Sequence, residues 1–224
     1  LPNLSRHIKK NDHFKTIKLQ NKALELSLFL SLPATLALIV GSEQITSSLF
    51  GYGSFNQQSV FNSAKALFYF SFGLPAFSLI KIFSTFLFAR NDTKTPFKYS
   101  LISVILNILI SLIFFPKIGF IIIPIATTIS SWFNGIILLI FVINKNYFKF
   151  SPNFLKQMLK IIFSNIIAIS IFYFLLNFLS SYFEYGNSLK FLYIILIVLF
   201  TFVSYVGVSI IIKAFKISDI NLKY

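Results

Sequence analysis

The stretch GLPAFSLIKIFSTFLFARNDTKTPFK, residues 73–98, decides how this chain is read. Together with the residues before it, it makes an apolar helix long enough to cross a bilayer, with Lys81 in its interior. Counting back from Arg90, where a charged loop begins, Lys81 lies about 13–14 Å up the helix at about 1.5 Å per residue. A hydrocarbon core about 30 Å thick puts that depth near its middle. A cation there costs about 2.5–3.5 kcal/mol on insertion scales, so it is expected to face protein or a water-filled cavity rather than lipid. Lys81 is therefore a candidate functional residue.

Helical spacing supplies its company. Ser71, Ser78 and Thr85 recur every seven positions, and Lys81 falls three after Ser78 and four before Thr85. Gly73 and Pro75 are expected to kink the helix just outward of this stripe and to free backbone carbonyls for other partners. A bent helix with a polar stripe suits the wall of a cavity and a substrate-binding role. The competing reading pairs Lys81 with a buried partner and uses the stripe to pack helices. The six acids, Asp12, Glu25, Glu43, Asp92, Glu184 and Asp219, all fall in loops or near span ends, so no mid-membrane carboxylate offers itself.

The turn that follows has two readings as well. Thr95 is expected to cap the next helix with Pro96 at its first position, and Asp92 or Thr93 to satisfy donors in the turn. Arg90 fits an interfacial anchor, with a gate or headgroup contact as the alternative. Asn107 and Asn134, inside later spans, read as interhelical hydrogen-bond partners rather than ligands. Glu25, Glu43, His7 and His13 read as solvated, and nothing in the pattern suggests a metal or another cofactor.

Composition gives the class. Of 224 residues, 56% are hydrophobic and 12% charged, with mean hydropathy +0.81, which does not describe a soluble domain. Six stretches hold a span of about 20 residues each: 24–50, 61–88, 99–115, 118–143, 154–179 and 189–212. The expected fold is an all-α polytopic transmembrane bundle, since a spanning backbone must satisfy its own hydrogen bonds and these runs are too long and continuous for barrel strands. The expected division is a basic cytoplasmic segment 1–23, four spans in 24–144, a cytoplasmic linker 145–153, a final pair 154–213 and a cytoplasmic tail 214–224.

The net charge of +14 does not indicate nucleic acid, because its distribution is topological. Of the 20 basic residues, 16 fall before the first span or in alternate loops after it, and only Lys117 and Lys190 fall in the opposite loops. Lys65 and Lys81 lie within the second span. The positive-inside bias places both termini in the cytoplasm, and an even span count agrees in putting both on one side. Absence of cysteine removes disulfide, thiolate and cysteine-metal chemistry. The opening LPNLSRHIKK has no apolar core of a signal peptide and looks like the end of an earlier helix, so the chain is expected to be part of a longer protein.

The 73–98 stretch resembles the signature of the MurJ (MviN) family of bacterial lipid II flippases, within the wider multidrug, oligosaccharidyl-lipid and polysaccharide exporter superfamily. LPNLSR (1–6), LQNKALELSLFLSLPA (19–34) and LFGYGSF (49–55) occur in family order and at family-like spacing. Together they cover about residues 1–115, and beyond Pro116 only the hydropathy profile matches. The resemblance implies the last six spans of a fourteen-span, two-lobe transporter: four of the second lobe, then a pair flanking a groove for the polyprenyl tail. It implies an undecaprenyl-linked peptidoglycan precursor as substrate, whose headgroup enters a cationic cavity between the lobes, with Lys81 matching the family's intramembrane lysine. Membrane lipids and the missing N-terminal lobe are the implied partners, and the inner membrane the implied location. Two departures stand out. The family's cavity arginines lie mostly upstream of Leu1, and Gly51 and Tyr52 stand where many members carry an acidic and basic pair.

The expected function is thus translocation without covalent chemistry, for which this fragment alone is insufficient. A related exporter of another lipid-linked oligosaccharide would share every feature. An integral-membrane polyprenyl-phosphate sugar transferase would need carboxylates at the membrane face, and Glu43 and Glu184 are too far apart in sequence to form a motif. A non-transporting scaffold would have no use for a mid-membrane lysine.

Overall fold

A computed structural model describes residues 2–10, 12–184 and 187–215. Most of the expected tail, with Lys216, Asp219 and Lys223, lies outside the described residues. Among these residues there is no strand, and nine α-helices follow one another: α1 (Pro2–Lys9), α2 (His13–Val40), α3 (Ser42–Phe50), α4 (Gln57–Ser71), α5 (Leu74–Phe88), α6 (Lys94–Ile118), α7 (Ile122–Asn144), α8 (Phe154–Phe178) and α9 (Lys190–Ile211). The expected all-helical fold is the observed one.

Two boundaries differ from expectation. The first long helix starts at His13, not Leu24, because the Asp12 carboxylate accepts the Lys15 N–H and so caps it, and nothing from there to Pro33 breaks the pattern. It ends at Gly41, after which α3 begins as a separate helix. The second expected span is interrupted at Phe72–Gly73, giving α4 and α5 with a 42° bend between them.

Four stretches are long and apolar enough to cross a bilayer among the described residues: His13–Val40, Lys94–Asn144, Phe154–Phe178 and Lys190–Ile211. The bent α4–α5 pair makes a fifth. Lys94–Asn144 holds two helices that fold back on one another at Gly119, whose φ of 73° suits glycine. Asn107 and Asn134 donate across this hairpin, to Thr127 Oγ1 at 3.0 Å and to Ser100 Oγ at 3.3 Å. That is the interhelical role read from sequence. Six spans result when the hairpin's arms are counted apart, a reading of lengths that stays an expectation.

The chain forms two compact units. The first gathers Leu1–Ser31 with Phe72–Gln157, around Leu24, Phe83, Phe86, Leu87, Leu138, Val142 and Phe148. The phenylalanines serve packing: Phe148 stacks on Phe86 at 5.7 Å between centroids and meets Phe83 and Phe150 edge-on. The second gathers Leu32–Ser71 with Met158–Lys223, around Phe172, Leu176, Ile194 and Ile197. Gly41 makes room there, because a Cβ at that position would sit 2.8 Å from the Phe172 ring.

Several helices end on a residue in the left-handed region, Asn91 (φ 61°), Asn146 (φ 55°) and Lys213 (φ 56°). In each case two backbone bonds reach back, as when Asn91 N–H donates to Phe88 and Asp92 N–H to Leu87, closing the helix in the manner usual for glycine. All three ends fall in the basic loops.

Candidate functional site

Lys81 projects from the face of α5 opposite its packed side. Ala76, Phe83, Phe86 and Leu87 are buried, whereas Phe77, Lys81 and Phe88 are exposed and share one side of the helix. Ser78 and Thr85 flank that side, each half-buried. Thr85 Oγ1 donates to the Lys81 carbonyl at 2.8 Å, so that hydroxyl is held along the helix. Among the described residues no hydrogen bond or ion pair reaches the Lys81 ammonium. The expected buried partner is therefore not found there, and the lysine is presented outward from its unit.

Ser71 does not join the stripe. It closes α4, belongs to the other compact unit, is buried, and donates to the Leu67 carbonyl at 2.6 Å. The break beyond it is where the sequence placed it. Gly73 precedes α5 and Pro75 sits in its first turn, where a missing N–H costs nothing. At the break, the carbonyl of Phe72 accepts the indole N–H of Trp132 on α7 at 2.9 Å.

Arg90 is an anchor. Its guanidinium donates to the carbonyls of Phe86 and Tyr147, both at 2.9 Å, and lies 4.6 Å from the Tyr147 ring centroid. Desolvation lowers its pKa from the ordinary arginine value, opposed by Tyr147. The α6 cap differs from expectation. The helix begins at Lys94, so Thr95 and Pro96 lie inside its first turn and Thr93 makes no side-chain cap bond; Asp92 Oδ1 accepts the Thr95 N–H at 3.0 Å. A carboxylate takes the capping place because it suits the positive end of the helix.

Two residues escaped the sequence reading. Asn21 donates to the carbonyls of Ile17 and Lys149 and accepts the Ser151 N–H, and the last two of these bonds join residues over a hundred positions apart. Its place among the charged and polar residues at the start of α2 gave little signal. Lys190, assigned to a loop, is fully buried at the start of α9. Glu43 and Glu184, dismissed for their sequence separation, line one cavity of about 180 Å³ in the second unit, with Gln44, Ser47, Gln57 and Ser180. Both glutamates are exposed, and among the described residues no three His, Asp or Glu side chains gather as a metal would require.

Long apolar helices, one broken at mid-length and bearing an outward lysine, define a polytopic α-helical membrane protein. Residues 1–196 match the family model described as lipid II flippase MurJ, and the chain belongs to that family. A probable lipid II flippase MurJ of Rickettsia prowazekii (strain Madrid E) is 40% identical over 134 residues, covering 60% of this chain and 26% of that protein. The lipid II flippase MurJ of Burkholderia cenocepacia is 28% identical over 163 residues, covering 72% and 31%. A solved structure of lipid II flippase MurJ in an inward closed conformation aligns with a TM-score of 0.73 at 25% identity, over 93% of this chain and 41% of that one. The chain thus spans about a quarter to a third of the curated relatives named here. The family match runs well past Pro116, where the sequence resemblance had thinned to hydropathy.

Proposed function

We propose that this chain is the C-terminal part of a flippase that carries lipid II, the lipid-linked peptidoglycan precursor, from the inner to the outer leaflet of the bacterial inner membrane by alternating access. The match to the lipid II flippase family over residues 1–196 carries this reading. The chain would supply part of the second lobe, 24–144, and the final pair, 154–213, with both ends in the cytoplasm and the upstream lobe, membrane lipids and the undecaprenyl-linked substrate as partners. An outward cation on a broken helix supports it, because a dianionic headgroup offsets the cost of holding an ammonium within the membrane. Lys81 would contact the headgroup, with Ser78 and Thr85 beside it. No covalent step is needed.

Lys81→Ala and Lys81→Glu in the intact protein test this. At matched membrane insertion, flipping of lipid II in vesicles should fall by about tenfold or more for the neutral variant, the loss of one charged contact, and further for the reversed charge. Unchanged flipping by both would remove Lys81 from the substrate path. Substrate trapping with defined lipids separates lipid II from another lipid-linked oligosaccharide. The convergence of Glu43 and Glu184 is the one observation favouring a transferase, and retained flipping in the Glu43→Gln/Glu184→Gln double variant would dispose of it.

A further inference from the structure

Lys190 bears two costs. It is fully buried, so its ammonium has left water, and it opens α9, where the helix dipole disfavours a cation. What offsets them is a socket made by Ser47–Tyr52. Nζ donates to the Gly51 carbonyl at 2.8 Å and to Ser47 Oγ at 3.2 Å, and lies 4.5 Å from the Tyr52 ring centroid. The Tyr52 hydroxyl donates to the Ser48 carbonyl at 3.0 Å, which fixes the ring. Gly51 supplies the space, since a Cβ there would lie 3.0 Å from Nζ and 2.6 Å from the Ser47 carbonyl. Acceptor, ring and gap all come from six consecutive residues of one unit.

We propose that Lys190 is a positioning residue: it pins the start of α9 to the end of α3 and the turn after it, and these two outer ends travel as one body while substrate passes. This rests on the flippase reading for what passes, but the pinning itself does not. α3 also packs along α9 and shares Ile45 with the Phe172, Ile194 and Ile197 cluster, so the lysine closes the polar end of an apolar contact. The seam is consequently a fixed wall, and opening towards the outer side takes place elsewhere in the protein.

Ser48, fully buried next to the socket, is the reporter. In the intact protein, with any cysteine outside this segment replaced, Ser48→Cys is exposed to a membrane-impermeant maleimide. With Lys190 present, labelling should be slow and equally slow during lipid II turnover. Lys190→Met, which keeps the volume and loses the ammonium, should speed it about tenfold, and Lys190→Arg should restore protection. Gly51→Ala approaches from the socket side with the lysine intact and should reproduce the methionine phenotype, which keeps the test open if Lys190→Met fails to insert. Labelling that accelerates during turnover with Lys190 in place would make the seam a gate and overturn the proposal. Unchanged protection in both Lys190→Met and Gly51→Ala would equally overturn it. Failure of the flippase reading would look different: the labelling pattern would stand while no lipid II crossed.

Discussion

Arg90 and Asn21 hold the same loop from two sides, the guanidinium on the Tyr147 carbonyl and the carboxamide on the Lys149 carbonyl two residues on. Each lies in one of the stretches that carry the family resemblance, and both act on backbone. The loop bears Phe148, the fully buried ring at the centre of the first unit's aromatic cluster. Removing Arg90 leaves two carbonyls short of a charged donor, so Arg90→Ala should destabilise the intact protein by about 2 kcal/mol. Arg90→Lys should recover less than half, because a single ammonium cannot fork between Phe86 and Tyr147 while lying on a ring. Thermal unfolding in detergent reads both, and an Arg90→Ala midpoint equal to the parent's would refute the anchor.

Trp132 is tied to the break in the α4–α5 pair. Its indole N–H donates to the Phe72 carbonyl at the interruption. Trp132→Phe keeps most of the ring and removes that bond, at a cost of about 0.5–1.5 kcal/mol. A Trp132→Phe/Gly73→Ala pair tests the connection: if the break is what demands the indole, tightening the helix at Gly73 should recover part of the loss. Simple additivity of the two losses would argue against it.

What the sequence made legible follows from which forces are local. Apolar runs and alternating basic loops specify long helices and their order, and Gly73 with Pro75 marked the break because both act on their own backbone. Asn107 and Asn134 were read correctly since a polar side chain in a span has few other uses. Lys190 was misjudged because charge and position near an apolar run suggest a loop, whereas its burial depends on a glycine and a tyrosine about 140 residues earlier. Ser71 looked equivalent to Ser78 by spacing, but a seven-residue period loses meaning across a helix break. Thr95 lost the cap to Asp92 through a competition between neighbours that composition does not rank.

Asp12 makes the start of α2 sensitive to acid. The Lys15 backbone N–H is the main cause of its lowered pKa, opposed by desolvation and aided by the Lys15 side chain and the His7 charge. A carboxyl whose folded pKa lies below its unfolded value contributes stability above the ordinary carboxylate range and loses it as pH falls through the folded pKa. The first turn of α2 should therefore fray only under acid conditions below that range. Asp12→Ala should fray it at neutral pH as well, with proteolysis near His13 as the readout. A cleavage pattern identical for parent and variant at pH 7 would show that the cap contributes nothing there.

Gly41 and Phe172 make the sharpest steric test. The glycine separates α2 from α3, and the ring that fills its empty side is completely buried. A methyl group at 41 would lie 2.8 Å from one ring carbon and 2.9 Å from the next, too close for adjustment by a few tenths of an ångström. Gly41→Ala should thus cost about 1–3 kcal/mol through overpacking, against the gain that alanine normally brings over glycine in a helix. Phe172→Leu alone should also destabilise, by leaving a void. Combined, the leucine vacates the volume the methyl needs, so the double variant should be more stable than the sum of the two losses by 1 kcal/mol or more, about the coupling expected of residues in contact. Denaturation of all four proteins in one detergent gives the cycle directly, and a coupling indistinguishable from zero would mean that α3 shifts to admit the methyl group without disturbing Phe172.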